Sequence, residues 1–175
     1  YCQGMNFIGA VCLHVYPDDE PAALIVMLCI LKKVAVDYFS PGLIGALQDV
    51  AAAQTLINVY LPDLGQAFNT FDAEITSWCA TDMIMCLFVH KIPLNELLLL
   101  WDMLLELNDP KSNLILFGAV LSFFSIHKSM LLEAAAPGSE SNKSTGQCSN
   151  VTSIMDALQL CLDGWSEQCD AQTLV

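Results

Sequence analysis

Tyr1-Cys2-Gln3-Gly4-Met5-Asn6-Phe7-Ile8-Gly9-Ala10-Val11 opens the chain, a polar, glycine-broken hexapeptide that runs straight into an apolar segment. Between Gln3 and Tyr16 the residues Phe7, Ala10, Val11 and His14 recur at helical spacing, and Pro17 stops the pattern. Asp18-Asp19-Glu20 then offers an N-cap and favourable first-turn charge to a second helix, with Pro21 acceptable at its start. That helix is expected to reach about Val36, and Tyr38-Phe39-Ser40-Pro41-Gly42 reads as a loop. A third helix is expected from about Leu43 to Leu61, ended by Pro62, with a short helix or turn from Asp63 to Phe71.

The same reading continues to the far end. Glu74–Val89 is expected to be helical, and Pro93 starts a helix reaching Leu107. Asn108-Asp109-Pro110 reads as a turn, after which Ser112 caps one long apolar helix through Leu132. From Ala134 to Asn150 the composition shifts to Ser, Gly, Asn, Lys and Thr, which predicts a disordered linker over 134–150. The tail, 151–175, recovers a weak helical period through Ile154, Leu158, Cys161 and Leu162. The fold class is therefore all-α.

Composition excludes several functions. The 175 residues hold 19 acidic side chains against 6 lysines and no arginine, a net charge of −13. Phosphate neutralisation needs clustered Lys and Arg, so nucleic acid is not a partner and anionic membrane surfaces are disfavoured. The mean hydropathy of +0.53 calls for a test of membrane insertion. The apolar runs Pro21–Leu31 and Leu114–Ile126 are stopped by charged or polar residues well short of the ~20 residues a spanning helix needs, so no transmembrane segment is expected. The eight cysteines contain no C-x-x-C pair, so no structural metal site is expected. Cys86 and His90 stand four residues apart, and the favoured reading is a buried thiol beside a helix-end histidine. No phosphate-cradling G-x-x-x-x-G-K-[ST] is present either, so the chain is not expected to bind nucleotide itself.

The opening hexapeptide resembles the Y-x-Q-G-M-[ND] signature of TBC domains, which stimulate GTP hydrolysis by Rab-type small GTPases. Further matches follow in order. Asp19-Glu20 before an apolar helix is similar to the family's D-E-x-x-A-F segment, and Leu61-Pro62-Asp63-Leu64 resembles its L-P-x-L turn. Phe88-Val89-His90-Lys91-Ile92-Pro93-Leu94, then Leu100-Trp101-Asp102, looks like F-x-x-x-[FL]-P-L followed by R-I-W-D. The resemblance covers residues 1–133 and implies a multi-helix TBC-type domain. Because the chain starts at Tyr1, it also implies an N-terminally truncated one, whose first two helices would expose apolar faces.

What the resemblance implies chemically is specific. Gln3 would be the catalytic glutamine, inserted into the partner's nucleotide site, with Tyr1, Gly4, Met5 and Asn6 supporting its loop. Trp101 and Asp102 would support the fold rather than touch the GTPase. The family also uses an arginine from an I-x-x-D-x-x-R motif, which would lie upstream of Tyr1. No cofactor is implied for the chain, since GTP and Mg²⁺ would be held by the GTP-bound Rab-type partner. The setting would be cytoplasmic, at the cytosolic face of endomembranes. The sequence departs from the family at Leu99, where arginine is common, at Met83, where tryptophan is usual, and at Glu106-Leu107, where E-G is expected. A catalytically inactive module that binds GTPases or trafficking partners without turnover is the alternative.

Overall fold

A computed structural model of the chain describes residues 2–71, 75–89, 91–107 and 113–135. The segments read as linker (136–150 of it) and tail, the turn at Asn108–Pro110, and the residues Tyr1, His90 and Ser112 lie outside the described residues. Eight helices and no strand are found among those described: α1 Met5–Val15, α2 Glu20–Lys33, α3 Ile44–Tyr60, α4 Pro62–Phe71, α5 Ile75–Met85, α6 Leu94–Glu106, α7 Leu114–Ile126 and α8 Lys128–Ala135. The protein is all-α, as the periodicity predicts.

The helix starts follow local chemistry. Asp19 caps α2, its Oδ1 accepting from the Ala22 amide at 2.9 Å, with Pro21 in the first turn and Lys32 and Lys33 in the last. Each of these complements an unpaired backbone group or the helix dipole. Pro62 begins α4 rather than only ending α3, a role open to proline because the first helical turn needs no amide donor. Gly45, near the start of α3, lies so close to the connection after α2 that a Cβ there would collide with the Val36 carbonyl. Only glycine permits that approach.

α3 lies at the centre, packed on α4, α5 and α7, while α1 pairs with α2 and α4 with α8. The core draws on every helix, through Ile8, Ile30, Ile57, Phe68, Met83, Trp101, Phe123 and Leu131 among others. Phe124 meets Phe123 and Phe68 edge-on at 5.4 and 6.2 Å between ring centroids. Full burial of such side chains stabilises by about 1.5–3 kcal/mol each. A polar clasp joins three parts of the chain: Asp49 Oδ2 on α3 accepts from Tyr38 Oη at 2.5 Å and from Asn113 Nδ2 at 2.6 Å. Burial, then the Asp49 carboxylate, pushes the Tyr38 phenol far up, so it stays a donor at any physiological pH.

Three expectations need correction. The helix expected over Glu74–Val89 ends at Met85, because Leu87 and Phe88 turn into the left-handed region with φ of 47° and 65°. Both side chains are fully buried there, and that burial offsets a backbone cost of about 1–2 kcal/mol per residue. The long helix expected through Leu132 is broken at His127 into α7 and α8, which meet at 60°. The bend turns α8 onto α4, where Leu131 reaches the core and Lys128 meets Asp63 at 2.8 Å. α8 also runs to Ala135, two residues into the stretch read as linker.

Among the described residues no single helix is long and apolar enough to cross a membrane; α7 and α8 pass that test only as a bent pair, and both contribute to the core. α1 and α2 expose Leu13, Val15, Leu24, Ile25 and Leu28, and comparable apolar residues are exposed on α3, α6, α7 and α8 as well.

Candidate functional site

The opening loop is held by one glycine. Gly4 stands before α1 with φ 106° and ψ −39°, a conformation that side chains with a Cβ rarely adopt. Its amide donates to Asn6 Oδ1 at 3.2 Å, and its carbonyl accepts from the Phe7 amide at 3.1 Å. The Met5 amide closes the turn onto the Cys2 carbonyl at 3.3 Å. Gly4 is buried, and a Cβ there would lie 3.4 Å from the Met85 carbonyl, 3.6 Å from the Phe39 ring and 3.9 Å from Cys86 Sγ. The loop is thus seated on the end of α5. Gln3, its neighbour, is exposed.

The surface that receives Gly4 is the turn Cys86–Val89, and three interactions shape it. The Trp101 indole on α6, itself buried, donates to the Leu87 carbonyl at 3.0 Å. The Phe88 amide reaches back to the Met83 carbonyl at 3.0 Å. Lys91 and Asp82 form an ion pair at 2.5 Å across the turn's base. Burial, reinforced by Asp82, pushes the Cys86 thiol up to about 11, so it stays protonated and is not a nucleophile.

The structure therefore brings Gly4 and Trp101 to the two sides of one turn, with Met85 and Cys86 facing the first and Leu87 the second. Met5 begins α1 half-buried, and Asn6 is exposed with its side chain folded back on Gly4. Asp102 stays apart from them on the exposed face of α6, beside Leu99, Met103 and Glu106. Met83 is fully buried, so an apolar side chain fills the position where the family resemblance predicts tryptophan. Glu96 is 7% exposed in the first turn of α6.

Sequence reasoning missed the Cys86–Val89 turn, because Met83–Val89 is an unbroken apolar run without Gly, Pro or Asn to announce it. It also missed a groove of about 180 Å³ between α1 and the start of α6, lined by Phe7, Ala10, Val11, His14, Val89 and Leu94. Its α1 residues are those that gave the helical period, so no separate signal marked them as surface-lining.

Comparison with known proteins gives the class of this all-helical chain. The Rab-GTPase-TBC domain family matches residues 1–132, and the chain belongs to that family. It is similar to growth hormone-regulated TBC protein 1 of Homo sapiens, 26% identical over 136 residues that cover 78% of this chain and 39% of the relative. The Xenopus laevis protein of the same name is 29% identical, over 77% of this chain and 37% of its own length. TBC1 domain family member 30 of Xenopus tropicalis is 29% identical over 58% of this chain and 13% of its own length. The chain thus spans less than half the length of these curated relatives. No solved structure matches it.

Proposed function

We propose that this chain carries the glutamine-bearing part of a GTPase-activating protein for a Rab-type small GTPase in its GTP-bound state. Gln3 enters the partner's nucleotide site. Its carboxamide oxygen accepts a hydrogen bond from the attacking water, and its NH₂ group donates to the oxygens on which charge develops. GTP and Mg²⁺ belong to the partner, so the chain regulates a reaction without a substrate site of its own. GTP hydrolysis passes through a loose transition state in which positioning and charge stabilisation supply most of the help.

The observation that carries this reading is the contrast between Gly4, buried and locked at φ 106°, and Gln3 beside it, exposed. A loop held this firmly next to an outward polar side chain is suited to reach into another molecule at a reduced cost in backbone entropy. Membership of the Rab-GTPase-TBC family supports it independently. The partner arginine, worth about 10³–10⁵ in rate, comes from outside these 175 residues, which contain none. Lysine has no equivalent planar fork of donors. The site of action is the cytosolic face of endomembranes, where Rab-type GTPases sit.

The test is single-turnover GTP hydrolysis across a Rab panel, with the complete polypeptide of the reading frame that contains Tyr1–Val175. Stimulation by the parent protein that collapses in Gln3→Ala is the expected result. Stimulation unchanged by Gln3→Ala refutes the role given to Gln3. The absence of arginine favours one second reading, a module that binds the GTPase without turnover; binding without stimulation by the parent would establish it.

A further inference from the structure

We infer that Asp82 and Lys91 are positioning residues for Gln3: their ion pair, acting through the Cys86 thiol, fixes the surface on which the glutamine loop is seated. The inference rests on the function proposed above and says what sets the reach of its catalytic side chain. The Asp82 carboxylate, on α5, uses both of its oxygens. Oδ2 meets Lys91 Nζ at 2.5 Å, and Oδ1 accepts from Cys86 Sγ at 3.9 Å, a weak bond of the kind sulfur makes. Cys86 Sγ in turn lies against the loop, 3.9 Å from where a Cβ on Gly4 would stand. A continuous line of contacts therefore runs from Lys91 through Asp82 and Cys86 to Gly4, and Gln3 is the next residue.

The turn between the two charges needs such a hold. Leu87 and Phe88 stand at φ of 47° and 65°, a conformation the chain leaves if it is allowed to. The Phe88 amide ties the middle of the turn to α5 through the Met83 carbonyl. Beyond it, the Lys91 amide reaches back only to the Phe88 carbonyl, at 2.9 Å. The ion pair is what ties the exit of the turn to α5. Its two partners also differ in exposure, 13% for the Lys91 side chain and 54% for that of Asp82. An ammonium withdrawn from water needs its counter-charge, whereas a half-exposed carboxylate is hydrated with or without a partner. Neutralising Asp82 therefore strands a largely buried charge and costs more stability than neutralising Lys91. The hold on Cys86, and so on Gly4, is loosened in either case.

The test compares the complete polypeptide with its Lys91→Met, Asp82→Asn and doubly substituted variants. Lys128→Met, which breaks the ion pair between α8 and Asp63, is the control. Steady-state stimulation of GTP-loaded Rab proteins gives kcat and KM, and thermal unfolding gives Tm. Amide hydrogen exchange reads Met5 and Phe7, whose bonds to the Cys2 and Gly4 carbonyls hold the loop. Lys91→Met and Asp82→Asn are each expected to lower kcat about tenfold with KM within about twofold, since a displacement of about 1 Å at a catalytic group can cost about 10²-fold. The double variant should fall no further than either single one, because the two side chains act as a unit. Asp82→Asn should have the lower Tm, so that kcat does not follow stability as it would for a structural role alone. Met5 and Phe7 should exchange about fivefold faster in all three, and Lys128→Met should leave kcat and loop exchange at parental values. Parental kcat and loop exchange in a folded Lys91→Met protein overturn the inference, and so does a kcat effect confined to one partner. A raised KM at parental kcat also overturns it, because the pair would then touch the GTPase itself. A parent that stimulates no Rab protein overturns the proposed function and the catalytic sense of this inference, while the exchange rates still decide whether the pair fixes the loop.

Discussion

Replacing Gly4 with alanine probes the coupling between backbone geometry and chemistry at this site. At φ 106° an L-residue is strained by about 1–3 kcal/mol. Steric clash adds little, because the new Cβ would meet its three nearest neighbours at 3.4, 3.6 and 3.9 Å, ordinary contact distances. The strain must therefore be borne by the backbone, and the loop has one way to escape it, rotation to negative φ. That rotation breaks the Gly4 amide bond to Asn6 and the Met5–Cys2 turn, two hydrogen bonds worth about 0.5–1.5 kcal/mol each. The two routes cost about the same. Both should therefore be populated in Gly4→Ala, and the loss of stability is capped near 1–3 kcal/mol, or about 2–12 °C in Tm for a chain of this size. Relocating the loop displaces Gln3, and a displacement of about 1 Å at a catalytic group can cost about 10²-fold in rate. The expected outcome is a modest fall in the thermal midpoint with a disproportionate fall in single-turnover hydrolysis. Gly118→Ala on α7, where a Cβ meets nothing within 4 Å, supplies the control and should raise stability by about 0.4–1 kcal/mol. Wild-type stimulation and an unchanged midpoint in Gly4→Ala would refute the claim that this glycine sets the position of Gln3.

Trp101→Phe removes the donor to the Leu87 carbonyl and leaves that buried oxygen unmatched, a loss of about 1–3 kcal/mol measurable by urea unfolding; a change below about 0.5 kcal/mol would show that the indole does not hold the turn. Tyr38→Phe takes one charge-assisted bond from Asp49 while Asn113 keeps the other, so about 1.5–3 kcal/mol should be lost in urea unfolding, and no loss would show that the clasp does not stabilise the fold. His127 titrates below its ordinary value because burial disfavours the imidazolium. The unfolded chain then binds the proton more readily, so stability is complete above about pH 6.5 and falls as the pH drops below it. His127→Leu should flatten that acid limb in unfolding curves recorded between pH 7 and pH 5, and an unaltered pH dependence would remove His127 as its source.

The fold was legible in proportion to how strongly local chemistry punctuates the chain. Pro17, the Asp19 cap with Pro21, and the Tyr38–Gly42 loop all divide helices close to where the structure divides them. The two missed changes of direction have one cause. At Cys86–Val89 and at His127 the chain changes direction inside apolar sequence, with no glycine or proline to signal it. Those turns are stabilised by what they bury, Leu87 and Phe88 in one case and Leu131 against α4 in the other. Tertiary burial overrode a helical period that the residues themselves maintain, and a one-dimensional pattern carries no record of it.

The same distinction governs the site. The place of Gly4 was legible because its short motif needs a residue without Cβ at that point, and Gln3, to which the catalytic role is proposed, stands exposed beside it. Their support was not, since it arises from Trp101, fourteen positions from the carbonyl it holds, acting through Leu87 on a turn whose other end touches Gly4. This arrangement makes a specific demand on the order of effects. Loosening the Leu87 end should disturb Gln3 without changing any residue of the loop. In the same polypeptide, Trp101→Phe should therefore lower stimulated hydrolysis even at temperatures where it remains folded, while Leu131→Val, a destabilising change on α8, which packs on α4 and α7, should not. Equal hydrolysis by the two folded variants would mean that the turn supports the core alone, and that Gly4 positions the glutamine without help from α6.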